Sequence, residues 1–250
     1  MYNKIANYYD ELGWAEYSEI EADVINNILM ENDIIPEKFC DLGCGTGELI
    51  YKMSDIHDDT SFVGIDLSDD MVQIATKKCK EKKHIKFFKK DIRNFKLETR
   101  VNVATCMYDT INHLLKKEHW KDTFSSVYDS LKYGGIFILD VVPLGALEKW
   151  EGTYVKDLKE GTLVRKIELD VLSNIITTHI NAFIKTNYFG TYKNIKEDVK
   201  ETSFRVEEII EMLKEAGFKK IELYDQDLIK HRFFIGKLNK EERIYISATK

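Results

Sequence analysis

A loop with three glycines at alternate positions restricts most strongly how this chain can fold. The stretch is FCDLGCGTGEL, residues 39–49, in which Gly43, Gly45 and Gly47 follow a short apolar run and precede a helical pattern. A strand, a glycine loop and a helix in succession bring backbone N–H groups and a helix N-terminus to one end of a sheet. Because glycine has no Cβ, a ligand can lie directly against that backbone. The loop therefore predicts a ligand site at the end of an α/β sheet.

The pattern along the rest of the chain favours the same architecture. Apolar strand-like runs alternate with amphipathic helical stretches as far as Pro143, and glycine-rich turns connect them. This alternation predicts a parallel sheet with helices on both faces. A helical pattern returns near residue 205, and two strand-like runs follow it closely enough to pair as an edge hairpin. We expect an α/β core with a seven-stranded, mostly parallel sheet, formed by residues 1–143 and 204–250.

Residues 144–203 have a different pattern. The stretches TLVRKIELDV and NIITTHINAFIKT both alternate apolar with polar residues, and no helical pattern separates them. Alternation with a period of two in successive segments is typical of antiparallel strands. The sequence therefore predicts a small antiparallel β cap inserted into the core at residues 144–203.

Composition excludes several classes of protein. The net charge of −6 argues against a non-specific polyanion binder, and we interpret the lysine-rich residues 77–90 as a solvated surface. The N-terminus lacks the basic start and apolar run of a secretion signal, and no apolar run is long enough to span a bilayer. The four cysteines form no C-x-x-C pair, so we expect buried thiols, no metal site and a soluble cytoplasmic protein.

Two common phosphate-binding loops do not match. A P-loop requires Lys-Ser or Lys-Thr after its last glycine, and neither pair follows here. The dinucleotide fingerprint G-x-G-x-x-G, counted from Gly43, places Glu48 where the third glycine belongs, and a carboxylate there would face a pyrophosphate. A nicotinamide-dependent oxidoreductase is thus disfavoured, although it stays an alternative.

The pattern D-x-G-x-G-x-G, which begins at Asp41, resembles motif I of the class I S-adenosylmethionine-dependent methyltransferases. Asp66 ends the second predicted strand and Asp91 the third, where this family has further acidic landmarks. The stretch VNVATCMYDTINHL resembles motif IV, and SFRVEEIIEMLKEAGFKKIEL is similar to the family's last helix and sixth strand. The resemblance covers most of residues 37–143 and 203–250. It implies a Rossmann-like fold that binds S-adenosyl-L-methionine and releases S-adenosyl-L-homocysteine.

The resemblance also implies which residues hold that cofactor. It assigns Asp66 to both ribose hydroxyls, and two acceptor oxygens suit a pair of adjacent O–H donors. It places Asp91 near the adenine amino group, Ile92 beside the ring, and the start of the loop after the fourth strand beside the methionyl part. The predicted cofactor-binding residues are Tyr9, Asp41, Gly43, Cys44, Gly45, Gly47, Asp66, Leu67, Asp91, Ile92 and Met107.

Two segments are expected near the methyl acceptor. The N-terminal aromatic residues Tyr2, Tyr8, Tyr9 and Trp14 resemble a lid that folds over the cofactor, although an aromatic stripe also suits plain packing. By resemblance, the loop after the fourth strand faces the substrate. We predict His113 and Asp109 as catalytic residues, with His113 the base because imidazole titrates near neutral pH; a surface or capping histidine is the alternative. The predicted substrate-binding residues are Tyr8, Tyr108 and Asn112.

The expected reaction is transfer of a methyl group to nitrogen or oxygen of a small molecule by in-line displacement, for which the protein mainly has to align the reacting groups. The inserted strands resemble caps that cover the substrate, and His179, Arg165 and Tyr188 are candidate contacts there. A tRNA, rRNA or protein acceptor is the alternative, but the N-P-P-[YF], D-P-P-[YF] and Pro-Cys motifs of such enzymes are missing. We therefore expect a small-molecule substrate, with no nucleic-acid or membrane partner.

Overall fold

Twelve strands and six α-helices form the part of the chain that the computed structural model describes, residues 4–186, 190–231 and 235–250. The strands are β1 (Lys38–Leu42), β2 (Ser61–Asp66), β3 (Ile85–Lys89), β4 (Val101–Cys106), β5 (Leu131–Val141), β6 (Gly152–Leu158), β7 (Gly161–Asp170), β8 (Ile175–Lys185), β9 (Tyr192–Thr202), β10 (Lys220–Tyr224), β11 (Lys230–His231) and β12 (Ile244–Thr249). The helices are α1 (Ser18–Glu31), α2 (Glu48–Ile56), α3 (Asp69–Lys78), α4 (Lys117–Ser130), α5 (Leu144–Leu147) and α6 (Val206–Glu215).

The central sheet has the strand order β11-β10-β12-β5-β4-β1-β2-β3. Strands β1 to β5 are mutually parallel, whereas β12, β10 and β11 continue the sheet as antiparallel neighbours. The predicted Rossmann-like, mostly parallel sheet is confirmed. Strand β11 adds an eighth, two-residue edge strand, which is too short to show an alternating pattern in the sequence.

Helices cover both faces of this sheet, as the alternation predicted. One apolar cluster joins Trp120 and Phe124 of α4 to Leu213 of α6, and the other joins Ile25 of α1 to Met53 of α2. All five side chains are essentially buried, and each contributes about 1.5–3 kcal/mol to stability through burial. The helices on the two faces of the sheet hold the strand ends in place. None of the helices formed by the described residues is long and apolar enough to cross a membrane.

A second sheet with the order β6-β7-β8-β9 is antiparallel throughout. The alternating burial of β8 confirms the predicted inserted cap. Strand β6 is exposed along most of its length. It therefore lacks the regular alternation of apolar and polar residues by which a strand is predicted from sequence. Apolar side chains of this cap pack against Ile5 and Leu12 of the N-terminal segment. The domain boundaries at residues 144 and 203 stay a prediction.

Candidate active site

The glycine loop lies where the carboxyl ends of β1 and β2 meet. The backbone N–H groups of Gly43 and Cys44 both donate to the carbonyl oxygen of Ile65, at 2.8 and 3.1 Å, so the loop is fixed to β2. Gly47 has φ +78° and immediately precedes α2. The expected strand, loop and helix therefore form one rigid unit.

The three glycines serve different purposes. A Cβ on Gly43 would lie 2.4 Å from Thr110 Cγ2, and one on Gly47 would lie 2.9 Å from Ala75 Cβ, so close packing requires both glycines. A Cβ on Gly45 would meet no heavy atom within 4 Å, although the residue has φ +50°. Gly45 therefore leaves room for a ligand. We withdraw Gly47 from the predicted cofactor contacts because its missing side chain makes room for α3.

Replacement of Gly45 by alanine should weaken binding of S-adenosylhomocysteine by about 1–3 kcal/mol, because the new methyl group occupies ligand space. The matched control is Gly134→Ala, since Gly134 has φ +76° and is equally free of neighbours. Both variants should lose about 1 kcal/mol or more of stability through backbone strain. Calorimetric titration and thermal melting separate the two effects. Equal ligand affinity in both variants would contradict the placement of the ligand at Gly45.

Asp66, at the end of β2, lies beside Gly45. Its Oδ2 accepts a hydrogen bond from the Gly45 N–H at 3.0 Å, and its Oδ1 accepts one from the Ser68 N–H at 2.8 Å. Burial raises the pKa of Asp66, and these backbone donors partly counter the rise. Each carboxylate oxygen has a second lone pair, so the group can still accept two ligand hydroxyls. This geometry suits the ribose of the expected cofactor.

A cavity of about 450 Å³, the first cavity, opens beside Asp66. Asp91 and Ile92 line it beyond β3, and Arg93 Nε donates to both oxygens of Asp91 at 2.9 and 3.0 Å. Arg93 lowers the pKa of Asp91, so this carboxylate is charged at neutral pH and can accept from an amino group. Predicted residues that line the first cavity are Tyr9, Gly43, Gly45, Asp66, Leu67, Asp91, Ile92, Tyr108 and His113.

Asp41, Cys44 and Met107 line a small adjoining cavity with Tyr9. Asp41 accepts a hydrogen bond from Thr105 Oγ1 at 2.7 Å, and burial raises its pKa to about 7. Burial also raises the pKa of the Cys44 thiol, so it stays protonated. No lysine, arginine or histidine among the described residues lines this small cavity, so its wall would not repel a positively charged sulfur.

The loop after β4 separates the first cavity from a larger one. Tyr108 and Asp109 have φ values of 56° and 50°, a left-handed conformation that is costly for residues with a side chain. The Asp109 N–H donates to Asp140 Oδ1 at 3.0 Å, and Arg243 Nη2 donates to Asp109 Oδ1 at 2.6 Å. Arg243 also pairs with Asp140. These contacts hold the strained turn in place.

Arg243 is a site residue that the sequence analysis missed. Its guanidinium carbon lies 5.2 Å from the ring centroid of Tyr17 and 5.6 Å from that of Tyr108. Both rings line the second cavity, of about 760 Å³, between the core and the cap. Tyr108 also lines the first cavity, so the two cavities adjoin at this ring.

His113 lies at the same boundary, beside the end of β9. Its Nδ1 is 3.4 Å from the carbonyl oxygen of Lys200 and 3.8 Å from Glu201 Oε1. A carbonyl only accepts, so Nδ1 is the donor and Nε2 is the acceptor nitrogen of the neutral ring. Burial lowers the pKa of His113, which keeps the ring neutral at pH 7.

Glu201 and Asp109 share a hydrogen bond beside this imidazole. Burial and the Asp109 charge raise the pKa of Glu201 well above its usual range. Burial opposes ionisation of Asp109, but Arg243 outweighs that effect and lowers its pKa. Glu201 is therefore protonated while Asp109 is charged. Ligand atoms of Asp109, His113 and Glu201 lie within 4.8 Å of one another, as in a metal site, but the bound guanidinium disfavours a second cation there.

Two predicted substrate contacts lie elsewhere. Asn112 is 0% exposed, and its amide nitrogen donates to the carbonyls of Val142 and Thr202 at 3.0 and 2.9 Å. Its oxygen accepts from the Val142 N–H at 3.1 Å, so the side chain ties the loop to β5 and β9. Tyr8 packs against Lys193 of the cap, with Nζ 5.2 Å from the ring centroid. We withdraw both from the substrate site because neither lines the cavities described above.

The N-terminal segment lies across the glycine loop. The carboxylate of Asp10 accepts from Thr46 Oγ1 at 2.6 Å and from Lys78 Nζ at 2.7 Å. The neighbouring Tyr9 lines the first cavity, with its ring centroid 5.1 Å from that of Trp14. Tyr2 lies outside the described residues. This placement suits a cover over the cofactor, and the lid role stays a prediction.

Of the candidate cap residues, Arg165 lines the second cavity. His179 is on the opposite, solvent-facing side of the cap, where its ring contacts Asp198 at 2.8 Å and Glu168 at 3.2 Å. These carboxylates raise the pKa of His179. Tyr188 lies outside the described residues. Arg165 and His179 therefore lie on opposite faces of the cap sheet, an assignment that the sequence alone could not make.

Known proteins include sequences similar to this chain. Residues 39–135 match the family described as "Methyltransferase domain". The Bacillus subtilis protein YqeM, named as a methyltransferase, is 28% identical over 228 residues, which cover 88% of this chain and 87% of the relative. The matched region includes the glycine loop, Asp66, Asp91 and the loop after β4.

Solved methyltransferase structures have the same fold. An S-adenosylmethionine-dependent methyltransferase from Clostridium acetobutylicum superposes with a TM-score of 0.83 at 24% identity, covering 99% of this chain and 98% of that one. The sugar N-methyltransferase KedS8 from Streptoalloteichus superposes with a TM-score of 0.74 at 16% identity, covering 93% and 88%. Motif, relatives and fold agree, and the acid and glycine positions fit the cofactor. The chain therefore resembles the S-adenosylmethionine-dependent methyltransferases, with a match to the methyltransferase domain at residues 39–135 and the fold of these enzymes.

Proposed function

We propose that this enzyme methylates an amine nitrogen of a small molecule that binds in the second cavity. The observation that carries the proposal is the meeting of the two cavities at Tyr108, with His113, Asp109 and Glu201 beside that boundary. A cofactor in the first cavity and an acceptor in the second would therefore approach each other across this wall.

The first cavity would hold the cofactor through the residues that line it. Asp66 binds the ribose hydroxyls, Asp91 accepts from the adenine amino group, and Gly45 leaves space along the main chain. S-adenosylmethionine supplies a methyl group on a positively charged sulfur, which is electrophilic without further activation. The protein therefore has to align the acceptor, exclude water and remove a proton.

A small acceptor is supported by the residues that line the second cavity. Its wall comes from the core through Tyr108 and Arg243, and from the cap through Arg165 and Glu201. Aromatic side chains on both sides, including Trp150, can pack against a compact organic molecule.

An amine acceptor is supported by the neutral imidazole of His113 at the boundary. An amine arrives largely as an ammonium at neutral pH and must lose a proton before it can react. The neutral His113 can receive that proton at Nε2. The similarity to KedS8, whose name specifies N-methylation of a sugar, agrees with nitrogen as the acceptor atom.

The test is incubation of the enzyme with S-adenosylmethionine and a panel of small amines, matched alcohols and bulk tRNA. Mass spectrometry identifies any product that gains a methyl group. We expect methylated amines and unmodified alcohols. Methylation of alcohols alone would reject nitrogen as the acceptor, and methylation of tRNA with a steep salt dependence would reject a small-molecule substrate.

Replacement of His113 by glutamine should lower kcat on the order of 100-fold, because the base is lost. Protonation of His113 removes the base, so the wild-type rate should fall at acidic pH. Because burial lowers the pKa of His113, this fall should lie below the usual imidazole value of about 6.5. The variant should lose that pH dependence. His179→Gln, on the outer face of the cap, is the matched control and should keep the wild-type profile. An unchanged pH profile in His113→Gln would contradict the role of the base.

A further inference from the structure

The second cavity contains an arginine without an ionic partner among the described residues. Arg165 lies on β7, directly opposite Tyr154 of β6 in the cap sheet. Its guanidinium carbon is 5.9 Å from the centroid of the Tyr154 ring. Within the described part of the chain, no carboxylate is within ion-pair distance of this side chain. By contrast, Arg243 in the same cavity is paired with two carboxylates.

The acidic groups nearby do not offset the charge of Arg165. Asp109 is bonded to Arg243, and Glu201 is bonded to Asp109. Burial and the Asp109 charge raise the pKa of Glu201, so this carboxyl group is neutral at pH 7. A second cation, Lys149, also lines the cavity, and its partner among the described residues is the backbone carbonyl of Lys240. Glu242 also lines the cavity, but it belongs to the core, so the cap side of the cavity is positive in a chain whose net charge is −6.

The chemistry of arginine indicates what such a position binds. A guanidinium presents several N–H donors in a planar fork that matches the oxygens of a carboxylate or phosphate. Contact with the face of an aromatic ring leaves the edge of the fork open to such a ligand. Arg165 and Tyr154 have this arrangement at the wall of the cavity.

We propose that Arg165 binds an anionic group, a carboxylate or a phosphate, on the methyl acceptor. The acceptor would then have its amine near His113 and its anionic group against the cap. The position of the amine rests on the proposed function, whereas the anion site is argued only from the residues that line the second cavity. Neutral amines would bind poorly because they leave Arg165 without a partner.

The test measures binding of two probes, inorganic phosphate and acetate, by NMR titration in the presence of S-adenosylhomocysteine. Arg165→Gln should weaken binding of at least one probe about 10- to 100-fold, because charge-assisted hydrogen bonds contribute about 1.5–3 kcal/mol. The matched control is Lys166→Gln, which removes the same charge from the next residue on the exposed face of β7. Thermal melting confirms that both variants fold.

The outcomes separate this proposal from the proposed function. Loss of phosphate binding alone identifies a phosphate group, and loss of acetate binding alone identifies a carboxylate. Equal probe affinities in Arg165→Gln and Lys166→Gln would overturn the anion site. In a parallel assay, O-phosphoethanolamine or β-alanine should be methylated faster than ethanolamine. If no amine is methylated but Arg165 still controls anion binding, the proposed function fails and the anion site stands.

Discussion

Replacement of Asp66 by alanine should weaken binding of S-adenosylmethionine by about two to four orders of magnitude. Asp66 would accept hydrogen bonds from both ribose hydroxyls, and each bond to a charged group contributes about 1.5–3 kcal/mol. The same carboxylate also receives the N–H groups of Gly45 and Ser68, so its loss loosens the glycine loop as well. Calorimetric titration with S-adenosylhomocysteine gives the dissociation constant directly.

Asp70→Ala is the control for this experiment. Asp70 is an exposed acid in the first turn of α3, four residues from Asp66, and it lines neither the first nor the second cavity. This variant should bind the ligand as the wild type does. Asp66→Asn should be intermediate, because the amide keeps one acceptor oxygen. A folded Asp66→Ala protein with wild-type affinity would show that the ribose lies elsewhere.

Replacement of Arg243 by methionine should lower the free energy of unfolding by about 3–5 kcal/mol. The change leaves Asp109 and Asp140 buried beside each other without a cation, and an uncompensated buried charge costs this much. For a domain of this size, the melting temperature should fall by roughly 6–20 °C. Thermal unfolding followed by circular dichroism measures the shift.

Two further variants test the cause of this loss. Lys117→Met removes an exposed partner of Glu208 and should cost about 1 kcal/mol or less. Adding Asp140→Asn to Arg243→Met removes one of the two unpaired charges and should restore part of the stability. A melting temperature unaffected by Arg243→Met would show that Asp109 and Asp140 need no cation.

The sequence predicted those features that follow from local patterns. Asp66 and Asp91 were expected at strand ends because each ends a strand-like stretch at a position where the resembled family has an acid, and both line the first cavity. The inserted cap was expected because Ile176, Ile180 and Ile184 alternate with polar residues. Short-range periodicity and turn residues suffice for such predictions.

The remaining site residues depend on contacts that have no local pattern. Arg243 pairs with Asp109, which lies 134 positions earlier, and no motif links the two. Glu21 has the sequence context of an exposed acid in the first turn of a helix, yet it is only 2% exposed behind the same network. Asn112 was assigned to the substrate from its position in a motif, whereas its actual partners are Val142, directly after β5, and Thr202 in β9. Tertiary packing alone determines these roles.

The N-terminal segment packs against the cap, which the ribosome synthesises much later. Ile5 and Leu12 pack on cap strands, and the Ile5 N–H donates to the carboxylate of Glu197, 192 positions later. At about 5–20 residues per second, a ribosome needs about 10–40 s to make the intervening chain. During that time these apolar side chains lack their native partners. The segment that begins the described chain is therefore among the last to become ordered, because it cannot pack until the cap strands have emerged.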